Sequence, residues 1–139
     1  MKLLILDRDG VINRDSAAYI RSAAEWQPLP GSIEAISAFC EAGFEVVIAT
    51  NQSGIGRGLF DVGELEAMHS KLHHLTEERG GRIAGIFYCP HVPEDNCHCR
   101  KPDTGLLEAI EKEYGCSTSG CWLVGDSLAD IELARGRAF

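Results

Sequence analysis

The chain has 139 residues, of which 45% are hydrophobic and 24% charged, and this composition fits one globular domain spanning residues 1–139. A net charge of −8 at pH 7 argues against nucleic acid as a partner. No apolar stretch reaches the roughly 20 residues of a membrane span or resembles a secretory signal, so we expect a cytoplasmic protein that does not bind a membrane. In that compartment we expect the cysteines to be thiols or metal ligands rather than disulfides.

Strands and helices are predicted to alternate along the chain. Apolar runs typical of buried parallel strands cover residues 2–6, 45–50, 83–88 and 121–124. Helical patterns lie between them, at residues 32–42, 61–79 with Asp61 as the cap, 103–114, and from about 127 onward. This order predicts an α/β fold of right-handed βαβ units, with a parallel sheet covered by helices on both faces.

Two acidic residues follow the first predicted strand. Asp7 and Asp9 lie on the same side of an extended chain, because side chains alternate along it. At about 4 Å and an effective dielectric near 20, two such charges repel by roughly 4 kcal/mol. A divalent cation would offset this repulsion, and a carboxylate beside such a cation can attack phosphorus. The alternative is a surface turn, in which Asp-x-Asp is also common.

Polar segments also follow the other predicted strands. Thr50, Asn51, Gln52 and Ser53 come after the second strand, Arg100 and Lys101 after the third and its loop, and Asp126 and Asp130 after the fourth. Hydroxyls, amides and cations can bind phosphate oxygens, and a third carboxylate completes an oxygen-rich site for Mg²⁺. Each residue alone also fits a helix cap or a solvated surface charge. Ligands of open α/β sheets bind at the carboxyl ends of strands, so the four segments together favour a catalytic site.

Cysteine and histidine cluster just before Lys101. The four candidate ligands are Cys89, His91, Cys97 and Cys99, whose soft atoms suit tetrahedral Zn²⁺. This set leaves no open position for water, so we expect a structural metal that orders the loop, with His98 the weaker ligand candidate. Structural zinc can contribute on the order of 10–16 kcal/mol of binding free energy to such ordering. The alternative is free cysteines in a mobile loop.

In these motifs the chain resembles the haloacid dehalogenase-like phosphatases. The resemblance implies a three-layer Rossmann-like fold with a minimal cap and a zinc-binding loop. It implies that Asp7 attacks phosphorus to form an aspartyl-phosphate, and that Asp9 protonates the leaving oxygen and then activates water. Thr50 and Lys101 would hold the transferring group. The implied ligands of Mg²⁺ are Asp7, the main-chain carbonyl of Asp9, and Asp126, with Asp130 in a supporting role.

Within that family, residues 1 to about 134 are similar to the heptose bisphosphate phosphatase branch. The most specific segments are Asp-Arg-Asp-Gly-Val-Ile-Asn, Thr-Asn-Gln-Ser-Gly-Ile-Gly-Arg-Gly and Cys-x-Cys-Arg-Lys-Pro. The similarity implies removal of the 7-phosphate of a sugar bisphosphate in the synthesis of lipopolysaccharide precursors. The implied substrate contacts are Asp15, Thr50, Asn51, Gln52, Ser53 and Arg100, and Arg57 is either a further contact or part of a flexible loop tip. The histidinol-phosphate phosphatase branch, which shares these motifs, and a non-catalytic zinc-bearing fold are the alternatives.

Two features depart from the family pattern. Ser127 stands where some relatives carry a lysine, which removes one potential phosphate contact. The chain ends at Phe139, whereas the family continues with a further strand and helix, so we expect the sheet to expose an apolar edge. We also expect a monomer, because a small site with a minimal cap needs no neighbouring chain.

Four further residues receive weaker assignments. His69 and His73 lie one helical turn apart without an evident third metal ligand, and we expect them to lie on a solvated helix face. Tyr19 and Trp26 belong to a segment without clear periodicity, which is expected to cover the site as a small cap.

Overall fold

Four parallel strands form the central sheet of the computed structural model, which describes residues 2–136. In chain order they are β1 (Lys2–Leu6), β2 (Phe44–Asn51), β3 (Gly85–Cys89) and β4 (Trp122–Val124). Their order across the sheet is β3-β2-β1-β4, and each neighbouring pair runs parallel. The predicted strands and the parallel α/β sheet are confirmed, with bounds that differ by one or two residues.

Five helices accompany the sheet within the same residues. They are α1 (Ser32–Glu41), α2 (Ser53–Gly56), α3 (Val62–Glu78), α4 (Gly105–Tyr114) and α5 (Leu128–Gly136). Asp61 caps α3 as predicted, since its side chain accepts a 2.8 Å bond from the Glu64 N–H and the Glu64 carboxylate accepts a 3.1 Å bond in return. The short helix α2 and a 3₁₀ turn at Pro93–Asp95 were not predicted, because neither is long enough to show a period in the sequence.

Helices cover both faces of the sheet, because side chains alternate along each strand. Leu4 and Leu6 of β1 pack with the apolar sides of α1 and α3, in a cluster that also holds Trp26. Leu3 and Ile5 pack on the opposite face, against the apolar sides of α4 and α5. Two separate cores therefore hold β1 in the middle of the molecule, so the loop that follows β1 starts from a rigid position.

The outer strand β4 carries an exposed apolar surface. Trp122 is 68% exposed and Val124 of the same strand is also exposed, as are Leu128 and Ile131 of α5, the helix that follows β4. This agrees with the apolar edge expected from the sequence, although the chain end at Phe139 lies outside the described residues. Among residues 2–136, no helix combines the length and the hydropathy that crossing a membrane would require.

Candidate active site

Asp7 lies at the carboxyl end of the central strand β1. Its N–H donates a 2.9 Å bond to the carbonyl of Val124, which joins the end of β1 to the end of β4. The Asp7 Oδ1 accepts a 2.8 Å bond from the Arg8 N–H and lies 3.2 Å from the Lys101 Nζ. Burial raises the pKa of Asp7 from 3.8 to about 6; the Lys101 ammonium opposes this rise and the Asp130 carboxylate adds to it. The site therefore favours a cation beside this carboxylate.

Lys101 is a buried cation with a fixed position. It is 4% exposed, and its Nζ donates to the carbonyl of Ala49 at 2.9 Å and to the Asp130 Oδ1 at 2.7 Å, in addition to its contact with Asp7. The Asp130 Oδ2 accepts a 2.9 Å bond from the Ser127 hydroxyl at the start of α5. Asp130 thus joins the Lys101 ammonium to the loop after β4.

Asn51 fixes the main chain of Lys101. The Lys101 N–H donates to the Asn51 Oδ1 at 3.0 Å, and the Asn51 Nδ2 donates to the Lys101 carbonyl at 3.3 Å. Nearby, the Gln52 N–H donates to the carbonyl of Cys89 at 2.7 Å and the Gly56 N–H donates to the carbonyl of Pro90 at 2.9 Å. These four bonds fasten the end of β2 and the helix α2 to the end of β3 and the loop that follows it.

Asp9 lies at the centre of a second hydrogen-bond network. Its Oδ1 accepts bonds from the Arg8 Nε at 3.0 Å, the Arg8 Nη2 at 2.8 Å and the Asn13 Nδ2 at 2.9 Å. Its Oδ2 accepts a 3.0 Å bond from the Gln52 Nε2, which also lies 2.9 Å from the Thr50 Oγ1. The first two polar segments of the sequence are therefore joined through side chains.

Three carboxylates could hold a divalent cation. One oxygen from each of Asp7, Asp126 and Asp130 lies within 4.8 Å of the others. Gly10, at φ 85°, makes room for this arrangement, since a Cβ there would stand 1.9 Å from the Asp126 Oδ2. A few carboxylates in a cleft that is open to water and phosphate form the donor set that Mg²⁺ prefers, so the residues fit this ion.

The cysteine and histidine ligands predicted from the sequence also converge. The Cys89, Cys97 and Cys99 sulfurs and the His91 Nδ1 lie within 4.8 Å of one another; four separations are between 3.4 and 3.7 Å, and the Cys89 and Cys99 sulfurs are 2.7 Å apart. Thiolates bound to zinc at about 2.3 Å stand about 3.8 Å apart at the corners of a tetrahedron, so this set fits Zn²⁺. Burial raises the pKa of Cys89 to about 12, and a metal cation would stabilise its thiolate. His98 lies apart from this group and pairs with Glu108.

A cleft of about 220 Å³ opens where the polar segments meet. Its lining residues are Asp7, Asp9, Asp15, Tyr19, Ile20, Thr50, Asn51, Gln52, Ser53, Arg100, Lys101, Asp126 and Ser127. Each residue predicted to contact substrate lies in this set except Arg57, which is exposed. A hydrogen bond with Ser53 and the charges of Arg57 and Arg100 lower the pKa of Tyr19, so Arg57 lies close to Tyr19. Tyr19 therefore borders the cleft, whereas Trp26 belongs to the core.

His69 is not on a solvated helix face, and that prediction is wrong. It is 8% exposed, and its Nε2 lies 3.2 Å from the Nη1 of Arg8, which is completely buried. His69 stands four residues after Leu65 and one after Met68, so the apolar stripe of α3 was the signal for its burial. No comparable signal marked Arg8, because nothing in a strand end followed by a turn indicates where a charged side chain packs.

One protein family matches almost the whole chain in sequence. The family described as haloacid dehalogenase-like hydrolase matches residues 1–136. The chain belongs to the haloacid dehalogenase-like hydrolases. This confirms the family inferred from the four motifs of the sequence.

Two relatives of this hydrolase carry the same enzyme name. This hydrolase is 56% identical over 133 residues to the D-glycero-beta-D-manno-heptose-1,7-bisphosphate 7-phosphatase of Pseudomonas aeruginosa, covering 96% of this chain and 75% of that protein. It is 51% identical over 132 residues to the protein of the same name from Neisseria meningitidis, covering 95% of this chain and 71% of that protein. These matches confirm the similarity to the heptose bisphosphate phosphatase branch.

A solved structure of a related protein has nearly the same fold. The D,D-heptose 1,7-bisphosphate phosphatase of B. bronchiseptica, described as complexed with magnesium and phosphate, superposes with a TM-score of 0.95 at 49% identity. The match covers 99% of this chain and 76% of that one. The corresponding protein of Burkholderia thailandensis superposes with a TM-score of 0.73 at 40% identity, over 100% of this chain and 75% of that one.

Proposed function

We propose that this hydrolase is a magnesium-dependent phosphomonoesterase that removes the 7-phosphate of D-glycero-D-manno-heptose 1,7-bisphosphate. The observation that carries the proposal is Asp7, a buried carboxylate that lies beside the Lys101 ammonium and two further carboxylates in an open cleft. The names of relatives at 51 and 56% identity support the choice of substrate. The same similarity supports a place in the cytoplasmic synthesis of lipopolysaccharide precursors.

In the first step, the Asp7 carboxylate attacks the phosphorus of the ester. A bond forms between Asp7 and phosphorus while the bond from phosphorus to the sugar oxygen breaks. Asp9 gives a proton to the departing oxygen, so the sugar leaves as an alcohol. Thr50 and Lys101 line the same cleft and hold the transferring group, whose charge is spread over its peripheral oxygens.

In the second step, water releases the phosphate from Asp7. Asp9, which has lost its proton, takes one from the water as the water oxygen attacks phosphorus. The bond between phosphorus and Asp7 breaks, and the carboxylate is restored. The two displacements use the same groups, so one small site serves both.

The two metals have separate tasks in this proposal. Asp7, Asp126 and the main-chain carbonyl of Asp9 would hold Mg²⁺, which when bound neutralises charge on the transferring group. Cys89, His91, Cys97 and Cys99 would hold Zn²⁺, which orders the loop before Lys101.

The rest of the sugar bisphosphate is assigned to the outer part of the cleft. Arg100, Ser53 and Asp15 line it, and Arg57 lies near its Tyr19 border. The amides of Asn51 and Gln52 bond to Lys101 and to Asp9, so we assign them to the positioning of those groups as well as to the cleft wall.

The test compares substrates and one variant on the same preparation. We expect phosphate release from the heptose 1,7-bisphosphate to exceed release from histidinol phosphate clearly, and Asp7→Asn to reduce both to a trace. A preference for histidinol phosphate would overturn the substrate assignment. More than a trace of activity in Asp7→Asn would overturn the assignment of Asp7 as the nucleophile, and a folded, inactive wild-type protein would favour the non-catalytic zinc-bearing alternative.

A further inference from the structure

Arg8 is a completely buried cation to which the proposed reaction gives no task. It lies between Asp7 and Asp9, and its exposed fraction is 0%. Removing a guanidinium from water costs several kcal/mol unless hydrogen bonds and opposite charge replace the lost hydration. The acceptors around it are therefore the guide to its function.

Each of the five N–H groups of the Arg8 guanidinium has an acceptor. The Nε and one Nη2 hydrogen reach the Asp9 Oδ1, at 3.0 and 2.8 Å, and the other Nη2 hydrogen faces the Gln52 Oε1 at 3.4 Å. The Nη1 faces the His69 Nε2 at 3.2 Å and the Met68 sulfur at 3.7 Å. Only a planar fork can satisfy this set, because a lysine ammonium has three donors and no fixed plane.

His69 holds the end of the guanidinium that points away from the cleft. Its Nε2 can accept from the Arg8 Nη1 only when the ring is neutral and carries its proton on Nδ1. Burial lowers the pKa of His69 to about 4; the charges of Arg8 and His73 act in the same direction, and Asp9 opposes them. The imidazole is thus an acceptor at ordinary pH.

At the other end, Arg8 restricts the orientation of Asp9. The Oδ1 of Asp9 takes both fork hydrogens and a third bond from Asn13, whereas its Oδ2 takes one bond, from Gln52. The Asp9 side chain is 23% exposed and lines the cleft, while its Oδ1 takes three of its four hydrogen bonds.

We propose that His69 and Arg8 are positioning residues for the proton transfer by Asp9. His69 fixes the guanidinium, and the guanidinium fixes the Asp9 carboxylate so that Oδ2 faces the oxygen of the leaving group. The inference rests on the proposed function, because it assumes that Asp9 is the general acid. It assigns a role to α3, an element that contributes no residue to the wall of the cleft.

The test separates positioning from simple packing through the leaving group. An alkyl leaving group, as in the heptose bisphosphate, needs a proton, whereas 4-nitrophenolate leaves without one. General acid catalysis typically contributes about 10²–10⁴-fold, and a misplaced acid loses part of this. We expect His69→Phe to lower kcat/KM about tenfold for the sugar phosphate and less than about threefold for 4-nitrophenyl phosphate.

Three further variants complete the experiment. Arg8→Lys keeps the charge without the fork and is expected to show the same selective loss, whereas His69→Gln restores an acceptor and is expected to recover much of the activity. His73→Phe, one turn further along α3, is the matched control and is expected to leave the ratio of the two kcat/KM values unchanged. Thermal unfolding of each variant confirms that it is folded.

Asp9→Asn is the reference for the proposed function itself. If it shows no selective loss, Asp9 is not the general acid and the proposed mechanism fails. A different outcome is that Asp9→Asn shows the selective loss while His69→Phe lowers kcat/KM equally for both substrates or for neither. Asp9 then remains the acid, and the positioning role of His69 and Arg8 is overturned.

Discussion

Replacing Asp7 by asparagine is expected to stabilise the fold even as it removes the proposed nucleophile. The Asp7 side chain is 13% exposed, and its burial raises its pKa from 3.8 to about 6. A carboxyl group whose pKa is raised by folding favours the folded state in its protonated form. That contribution is present below about pH 3.8 and is lost as the pH rises through 6.

The size of the effect follows from the two pKa values. Each pH unit between them corresponds to about 1.36 kcal/mol, so ionised Asp7 lowers the free energy of unfolding by about 3 kcal/mol above pH 6. Asparagine has nearly the same shape and no charge to desolvate. We therefore expect the free energy of unfolding of Asp7→Asn to exceed that of the wild type by up to about 3 kcal/mol near pH 8 and to equal it near pH 4.

The assay is urea unfolding followed by circular dichroism, in buffer without added Mg²⁺, at several pH values between these limits. Asp126→Asn removes an exposed carboxylate from the same cleft, so it is the matched control and is expected to change stability by no more than about 0.5 kcal/mol. Added Mg²⁺ is expected to stabilise the wild type more than Asp7→Asn. A gain independent of pH, or a loss of stability near pH 8, would refute the reasoning.

Two other substitutions test the metal sites. Gly10→Ala is expected to displace the Asp126 carboxylate and weaken Mg²⁺ binding by about 10-fold or more in calorimetric titration. Gly58→Ala is its control, because Gly58 also has a positive φ (73°) but no atom lies within 4 Å of the added Cβ. Equal Mg²⁺ affinities in the two variants would show that the contact between residue 10 and Asp126 does not matter for binding. Cys97→Ser is expected to lose bound zinc, measured by elemental analysis, and to lower the unfolding temperature, whereas Cys116→Ser is expected to retain both. Full zinc content in Cys97→Ser would remove Cys97 from the ligand set.

The sequence predicted the elements well where a local pattern determines the structure. The Asp61 cap and the apolar stripe of α3 are local signals, and the structure has both. The polar segments could be placed at one edge because a parallel sheet brings the carboxyl ends of its strands together. Periodicity and topology were therefore sufficient to locate the cleft.

The connections between the polar segments could not be predicted in the same way. The reciprocal bonds between Asn51 and Lys101 join residues 50 positions apart, and the contact between Arg8 and His69 joins residues 61 positions apart. Such pairings depend on side-chain packing across the sheet, which no period in the chain records. The roles of Asn51 and Gln52 as partners of other site residues therefore became visible only in three dimensions.

The two metal positions differ in how an ion would enter and leave. Asp126 is an exposed residue of the cleft wall, whereas Cys89 is buried and His91, Cys97 and Cys99 are half-buried. An ion among the carboxylates would exchange with the surrounding solution without any rearrangement of the chain. An ion among the thiols would leave only when its bonds to all four side chains break, so activity lost with that ion is not expected to return when fresh magnesium is added.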